Sequence, residues 1–160
     1  MKKILVGLVA LLLLGGCAKK ELKIFSVDKP YAEALRWTKK GDIAISLENK
    51  ALIIATYLNP LRKKWDKEYF FVRVYIDNDF DDPKKAGLYH PGYYLKLNDS
   101  EPLEIKELDF ESELAKTMPF VQKWYHIYLV TFEKTENKEL KLRFGNKDYG
   151  EVVLLFRKPE

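Results

Sequence analysis

The chain has 160 residues, of which 47% are hydrophobic and 14% aromatic, enough apolar material for a packed core and too much for global disorder. Its 28 basic and 24 acidic side chains leave a net charge of +4, too weak and too scattered to argue for a nucleic-acid-binding face. The length suits one domain, or one domain with an appendage.

Met1-Lys2-Lys3 is a short positive start, and Ile4 to Leu14 is an apolar run of eleven residues. A helix crossing a hydrocarbon core of about 30 Å needs roughly 20 residues, so this run is too short to span and has the length of a secretory signal. Leu14-Gly15-Gly16-Cys17 follows at once. A positive start, an apolar run, two small residues and then a cysteine resemble the lipobox of a bacterial lipoprotein signal peptide. The resemblance covers the first 17 residues. It implies cleavage between Gly16 and Cys17, diacylation of the Cys17 thiol and acylation of the new amine. The alternative is an ordinary secretory signal or a short buried helix, with Cys17 a passive small hydrophobe.

Cys17 is the sole cysteine, so an intramolecular disulfide is excluded. Each buried CH₂ of an acyl chain contributes roughly 0.8 kcal/mol, and several chains on one residue make a lasting anchor. Ala18 rather than Asp follows the cysteine. By the same resemblance this points to the periplasmic face of the cell outer membrane over inner-membrane retention. The expected division is 1–16 as signal peptide, 17–29 as lipidated N-terminus and tether, and 30–160 as one β-sandwich domain. Removing residues 1–16 takes Lys2 and Lys3 with it and leaves 26 of the 28 basic side chains against 24 acidic ones.

Asp28 and Pro30 predict a helix start, with Tyr31, Ala34, Leu35 and Trp37 on its apolar side, Lys39 and Lys40 near its end and Gly41 as its stop. From Asp42 the apolar period changes to two, predicting a strand through Ile43, Ile45 and Leu47 and a turn at Glu48–Lys50. Ala51 to Leu58 is nearly continuous apolar and reads as a central strand. Leu61 and Trp65 suggest one helical turn capped by Asn59. Tyr69 to Ile76 is rich in aromatic and β-branched residues and reads as another strand. Tyr93–Leu97 and Leu103–Glu107 flank Asn98-Asp99-Ser100, a hairpin signal. A short helix is expected over Phe110–Met118, and strands over Trp124–Glu133, Leu140–Phe144 and Glu151–Arg157.

Short strands at regular spacing, without helix-length crossovers, disfavour parallel βαβ architecture. They predict a mainly β fold: an antiparallel immunoglobulin-like β-sandwich with one or two short peripheral helices, with a small closed barrel as the alternative.

The run Asp77, Asp79, Asp81, Asp82 places carboxylates at near-alternate positions in a loop, where they can converge on a calcium ion. The run departs from the EF-hand loop at Asp82, where glycine is needed, and at Leu88, where a bidentate Glu belongs. The other reading is a solvated loop that keeps a strand end from aggregating. Tyr89 and Tyr93 lie in the aromatic stretch Leu88–Tyr94 and are candidate partner contacts if exposed; if the stretch is buried, Tyr89 and Tyr94 are edges of the core. His90 and His126 stand far apart in sequence and with no second cysteine do not make a zinc site. His126, on a strand apolar on both faces, reads as a hydrogen-bonded structural residue.

The chain has no G-x-S-x-G, H-E-x-x-H, P-loop or dinucleotide-binding glycine motif. The expected function is therefore that of a non-enzymatic envelope lipoprotein. It would bind an envelope partner through the 77–92 loop and the 145–150 turn, with no nucleic-acid role. The alternatives are a calcium- or small-ligand-binding envelope protein using Asp77–Asp82, and an envelope hydrolase. Thr56–Pro60 (TYLNP) is similar to a segment of small bacterial lipoproteins and brings no assigned activity.

Overall fold

Period-two patterning dominates the observed architecture. A computed structural model describes residues 29–61 and 65–159, so the signal peptide, Cys17 and the Asp28 helix cap lie outside the described residues. The first described element is a helix, α1 (Lys29–Arg36). Eight strands follow: β1 (Thr38–Ile45), β2 (Glu48–Tyr57), β3 (Glu68–Ile76), β4 (Tyr93–Leu97), β5 (Glu104–Glu107), β6 (His126–Phe132), β7 (Glu139–Asn146) and β8 (Gly150–Arg157). A second short helix, α2 (Glu113–Thr117), sits between β5 and β6.

The strands form a five-stranded sheet in the order β1-β2-β3-β6-β5 and a three-stranded sheet in the order β4-β7-β8, antiparallel throughout. With β1 set aside, β2-β3-β6-β5 and β4-β7-β8 reproduce the A-B-E-D and C-F-G sheets of the constant-type immunoglobulin topology. The fold is thus an open β-sandwich and not a closed barrel, with β1 as an added edge strand.

Alternation along each strand decides which side chains meet between the sheets. Phe70, Val72, Val74 and Ile76 of β3 face inward, against Leu140, Leu142 and Phe144 of β7 and Leu154 and Phe156 of β8. Burying a side chain of this size contributes about 1.5–3 kcal/mol. The opposite face of the five-stranded sheet carries a second cluster. Phe71 and Ile127 pack there beneath Ala34 of α1, Ala115 of α2, Met118 and Leu58. These contacts hold α1, too short to be stable alone.

The outer face also buries Arg73 completely. Its guanidinium donates to the carbonyls of Ile54 (3.2 Å) and Pro119 (2.5 Å) and to Thr56 Oγ1 (2.8 Å), and lies over the Phe71 ring. Burial pushes it down to about 9, which leaves it a cation at neutral pH.

Several expectations need correction. Gly41 does not stop a helix: α1 ends at Arg36, and Lys39, Lys40 and Gly41 belong to β1. At Gly41 the edges of the two sheets meet, and a Cβ there would stand 2.4 Å from Val152 Cγ2 and 3.0 Å from Leu154 Cδ2 of β8. Gly41→Val is therefore expected to lower stability by about 1–3 kcal/mol through overpacking, read as a lower urea midpoint at unchanged slope. An unchanged midpoint would mean that the edges are free to part.

The turn expected at Glu48–Lys50 falls earlier, at Ser46-Leu47, with Ser46 at φ 57°. The helical turn expected between Leu61 and Trp65 passes through residues 62–64, outside the described residues. Asn59 opens a 3-10 turn over Asn59–Leu61, and its side chain crosses the connection to the Lys67 carbonyl and the Tyr69 N–H. The 93–107 hairpin does not form either. Its turn is present, with Asn98 and Asp99 at positive φ, but β4 pairs with β7 and β5 with β6, so the chain changes sheets there.

Candidate functional site

Three connections gather at one end of the sandwich: the β1–β2 turn, the 77–92 loop between β3 and β4, and the β7–β8 turn. In the immunoglobulin correspondence the last two are the B–C and F–G loops, which lie together at one end of such sandwiches. Between them is a cavity of about 260 Å³, the mouth of the core between the two sheets.

The cavity's polar groups come from both sheets. Lys50 of β2 is held between Glu48 (2.7 Å) and Asp77 (3.4 Å), and the hydrogen bond to Glu48, then Asp77, raises its ammonium above the usual lysine range. The Asp77 N–H donates to the Lys50 carbonyl, which closes the end of the β2–β3 ladder. Across the mouth, β7 places Leu140, Leu142 and Phe144 inward and then Asn146, an amide at the position where the core ends. Asn146 is 7% exposed. Its Oδ1 accepts from the N–H groups of Asp148 (2.8 Å) and Tyr149 (3.3 Å), which shapes the β7–β8 turn.

Aromatic rings line the rest. Tyr93 stacks on Phe144 at 5.3 Å between centroids and donates its hydroxyl to the Lys50 carbonyl. Burial raises its phenol above the ordinary tyrosine range. The His90 ring packs against Tyr93 and Phe80, and its Nδ1 accepts from the Gly92 N–H at 2.9 Å. Tyr149, Phe80 and Leu47 stand exposed around the rim.

The four aspartates take separate partners. Asp77 meets Lys50 and Asn78. Asp79 accepts from the N–H groups of Phe80 (2.8 Å) and Gly87 (2.7 Å) and lies 3.8 Å from His126 Nε2. Asp81 is exposed, and Asp82 accepts from the Lys84 N–H. Among the described residues no group of three or more His, Cys, Asp and Glu is placed to hold a metal ion. Asp79 thus folds the loop back on itself, helped by Gly87, whose φ of +58° suits glycine and whose Cβ would collide with the Tyr128 hydroxyl.

Of the two candidate contact tyrosines, Tyr93 belongs to the cavity wall. Tyr89 lies further along the loop, with its ring edge-on to Tyr128 and its hydroxyl on the Ile105 carbonyl of β5. His126 sits between Asp79 and Glu107, 3.3 Å from the latter. Asn146 lies in the 145–150 turn named from the sequence, but neither it nor Lys50, expected only as a turn residue, is singled out there. For Asn146 a signal existed: a polar residue closing an inward period-two run.

A second cavity, about 460 Å³, opens at the opposite end of the outer sheet face. Leu58, Leu61, Trp65, Leu114 and Met118 line it, and Pro30, at the start of the described chain, forms part of its rim. Comparison with protein-family models, with curated proteins and with solved structures found no match to this chain. The arrangement at the loop end can hydrogen-bond and stack against a small polar molecule or a protein segment.

Proposed function

We propose that this chain is a bacterial envelope lipoprotein, lipidated at Cys17, whose sandwich binds an envelope partner through the loop end without catalysing a reaction. The observation that carries the reading is the Leu14-Gly15-Gly16-Cys17 sequence directly after an eleven-residue apolar run. The layout of the domain supports it. β2 runs from the loop end at Lys50 to the helix end at Leu58, roughly 26 Å at the rise of an extended strand. The described chain begins at the helix end, where Pro30 lines the same cavity as Leu58 and Tyr69. An anchor joined there would attach at the end of the sandwich opposite the loops.

Growth on labelled palmitate should label the natural chain and leave Cys17→Ser unlabelled, and the variant should move from the membrane fraction to the soluble one. A Cys17→Ser chain that is processed as before and still sediments with membranes would refute the reading. Crosslinkers placed at Leu47 and Tyr149 should then capture the partner, and crosslinkers near Pro30 should not.

A further inference from the structure

We propose that the loop-end cavity binds a neutral, hydroxyl-rich ring, a single sugar unit, with Asn146 Nδ2 donating to it and the Asp77 and Asp148 carboxylates accepting from it. The proposal rests on the reading of this end as the contact surface and not on the lipid anchor.

Asn146 is the central observation. More than nine-tenths of the residue is buried, and two turn N–H groups fix its oxygen and hence the direction of its nitrogen. Nδ2 has no hydrogen-bond partner among the described residues. It lies beside Gly92, 3.2 Å from where a Cβ would stand, and opens on the cavity. It is not among the side-chain atoms sealed from solvent without a partner, which are Trp65 Nε1 and Arg143 Nε. A buried donor left facing a polar cavity is a place for a water molecule or a ligand oxygen.

The remaining groups narrow the ligand. Among the described residues the only ammonium on the wall, Lys50, already lies between two carboxylates, and Asp148 adds a further negative charge, so these residues offer an anion no free cation. An apolar ligand would leave the Asn146 amide donor without a partner. A molecule that carries both donors and acceptors, with one apolar face for the rings of Tyr149 and His90, satisfies the inventory. A cavity of about 260 Å³ falls just below the ~300–1,000 Å³ typical of sites for drug-sized ligands, which limits it to about one ring. The wall is built in advance: Tyr93 is fixed on Phe144, Asp77 on Lys50, and the turn on Asn146.

The test is amide NMR of the full-length chain in a sugar-free polyoxyethylene detergent, titrated with glucose and with N-acetylglucosamine. At least one sugar should produce saturable shifts at Lys50, Asp77, Tyr93 and residues 146–149, with a Kd on the order of 1 mM. Calcium and inorganic phosphate should leave those amides unmoved. Asn146→Asp keeps an oxygen for the two turn N–H groups and removes the donor, so it should fold and bind about tenfold more weakly. Tyr149→Ala, on the exposed rim, gives a second variant with the same expected loss should the first not fold. No saturable shift with either sugar overturns the proposal, as do shifts confined to other residues, a response to phosphate or calcium instead, or unchanged affinity in the variants. A partner crosslinked at this end with no sugar response would overturn the ligand and keep the contact surface. Sugar binding with no partner at this end would do the reverse.

Discussion

Glu68→Ala is expected to lower the stability of the sandwich by about 3 kcal/mol, the lower end of the range for removing one member of a buried ion pair. Glu68 is 1% exposed at the start of β3. Its Oε2 accepts from the Tyr57 hydroxyl (2.7 Å) and Asn59 Nδ2 (3.1 Å), and its Oε1 from the Thr135 N–H (3.3 Å) and Lys158 Nζ (2.5 Å). One carboxylate thereby ties β2, the 58–68 connection, the β6–β7 turn and the C-terminal end of β8 to a single point. Alanine would leave the Tyr57 hydroxyl and the Thr135 N–H without their acceptor, while Asn59 Nδ2 keeps the Lys67 carbonyl and Lys158 Nζ the Thr135 carbonyl. The lower end applies because the Lys158 side chain is 21% exposed and its ammonium can turn to water. Thermal unfolding should shift down by roughly 10 °C. Glu68→Gln, which keeps the acceptor and loses the charge, should fall between the two. A loss below about 1 kcal/mol in Glu68→Ala would mean that the Tyr57 hydroxyl and the Thr135 N–H find other partners.

Alkali should unfold the protein steeply. Tyr57 and Tyr128 are buried between the sheets, and their phenols are held well above the ordinary value of about 10. Burial is the main cause in both, and the Glu68 carboxylate beside the Tyr57 hydroxyl adds to it. A raised folded value favours the neutral phenol in the native state. The stability this gives is complete below about pH 10, where the unfolded chain is neutral too, and drains away as pH climbs toward the folded values. Melting temperature should therefore fall sharply above pH 10, and phenolate absorbance of these two rings should appear only with unfolding. The Tyr57→Phe, Tyr128→Phe double variant should show a flatter alkaline limb. Arg73 works in the opposite sense but is common to both proteins, so it cancels from the comparison. Equal alkaline slopes would show that the two hydroxyls ionise within the folded state.

The strands were legible because their pattern is local. Ala51–Leu58, Tyr69–Ile76 and Glu151–Arg157 carry their apolar period in consecutive residues, and each became a strand within a residue or three of its expected ends. The errors fell where a distant neighbour decides. Residues 38–41 hold no inward apolar side chain, so nothing local marks Gly41 as strand; its meaning comes from Val152, on the other sheet. The 93–107 stretch has the right turn residues for a hairpin, but Leu95 and Leu97 are buried against β7 of the opposite sheet. In β5 only Ile105 is apolar, too little to fix a pairing. The Glu68–Lys158 pair spans 90 positions, and no spacing rule links such residues. At the candidate site the two loops were readable from their turn residues. Their convergence with Lys50 was not, because it follows from the register of β2 against β3.

The meeting of β1 with β8 at Gly41 makes the molecule lopsided toward other chains. That flank is closed at Gly41 by the Val152 and Leu154 side chains, and a cavity of about 370 Å³ opens further along it between Lys39 and residues 155–158. The other flank offers only β4 and β5, five and four residues long, with Lys96, Glu104, Lys106 and Glu107 along them and the Tyr89 hydroxyl already on one β5 carbonyl. Short, charged rails of this kind resist zipping into a continuous ribbon. Edge-to-edge pairing of one sandwich with another would be disfavoured there.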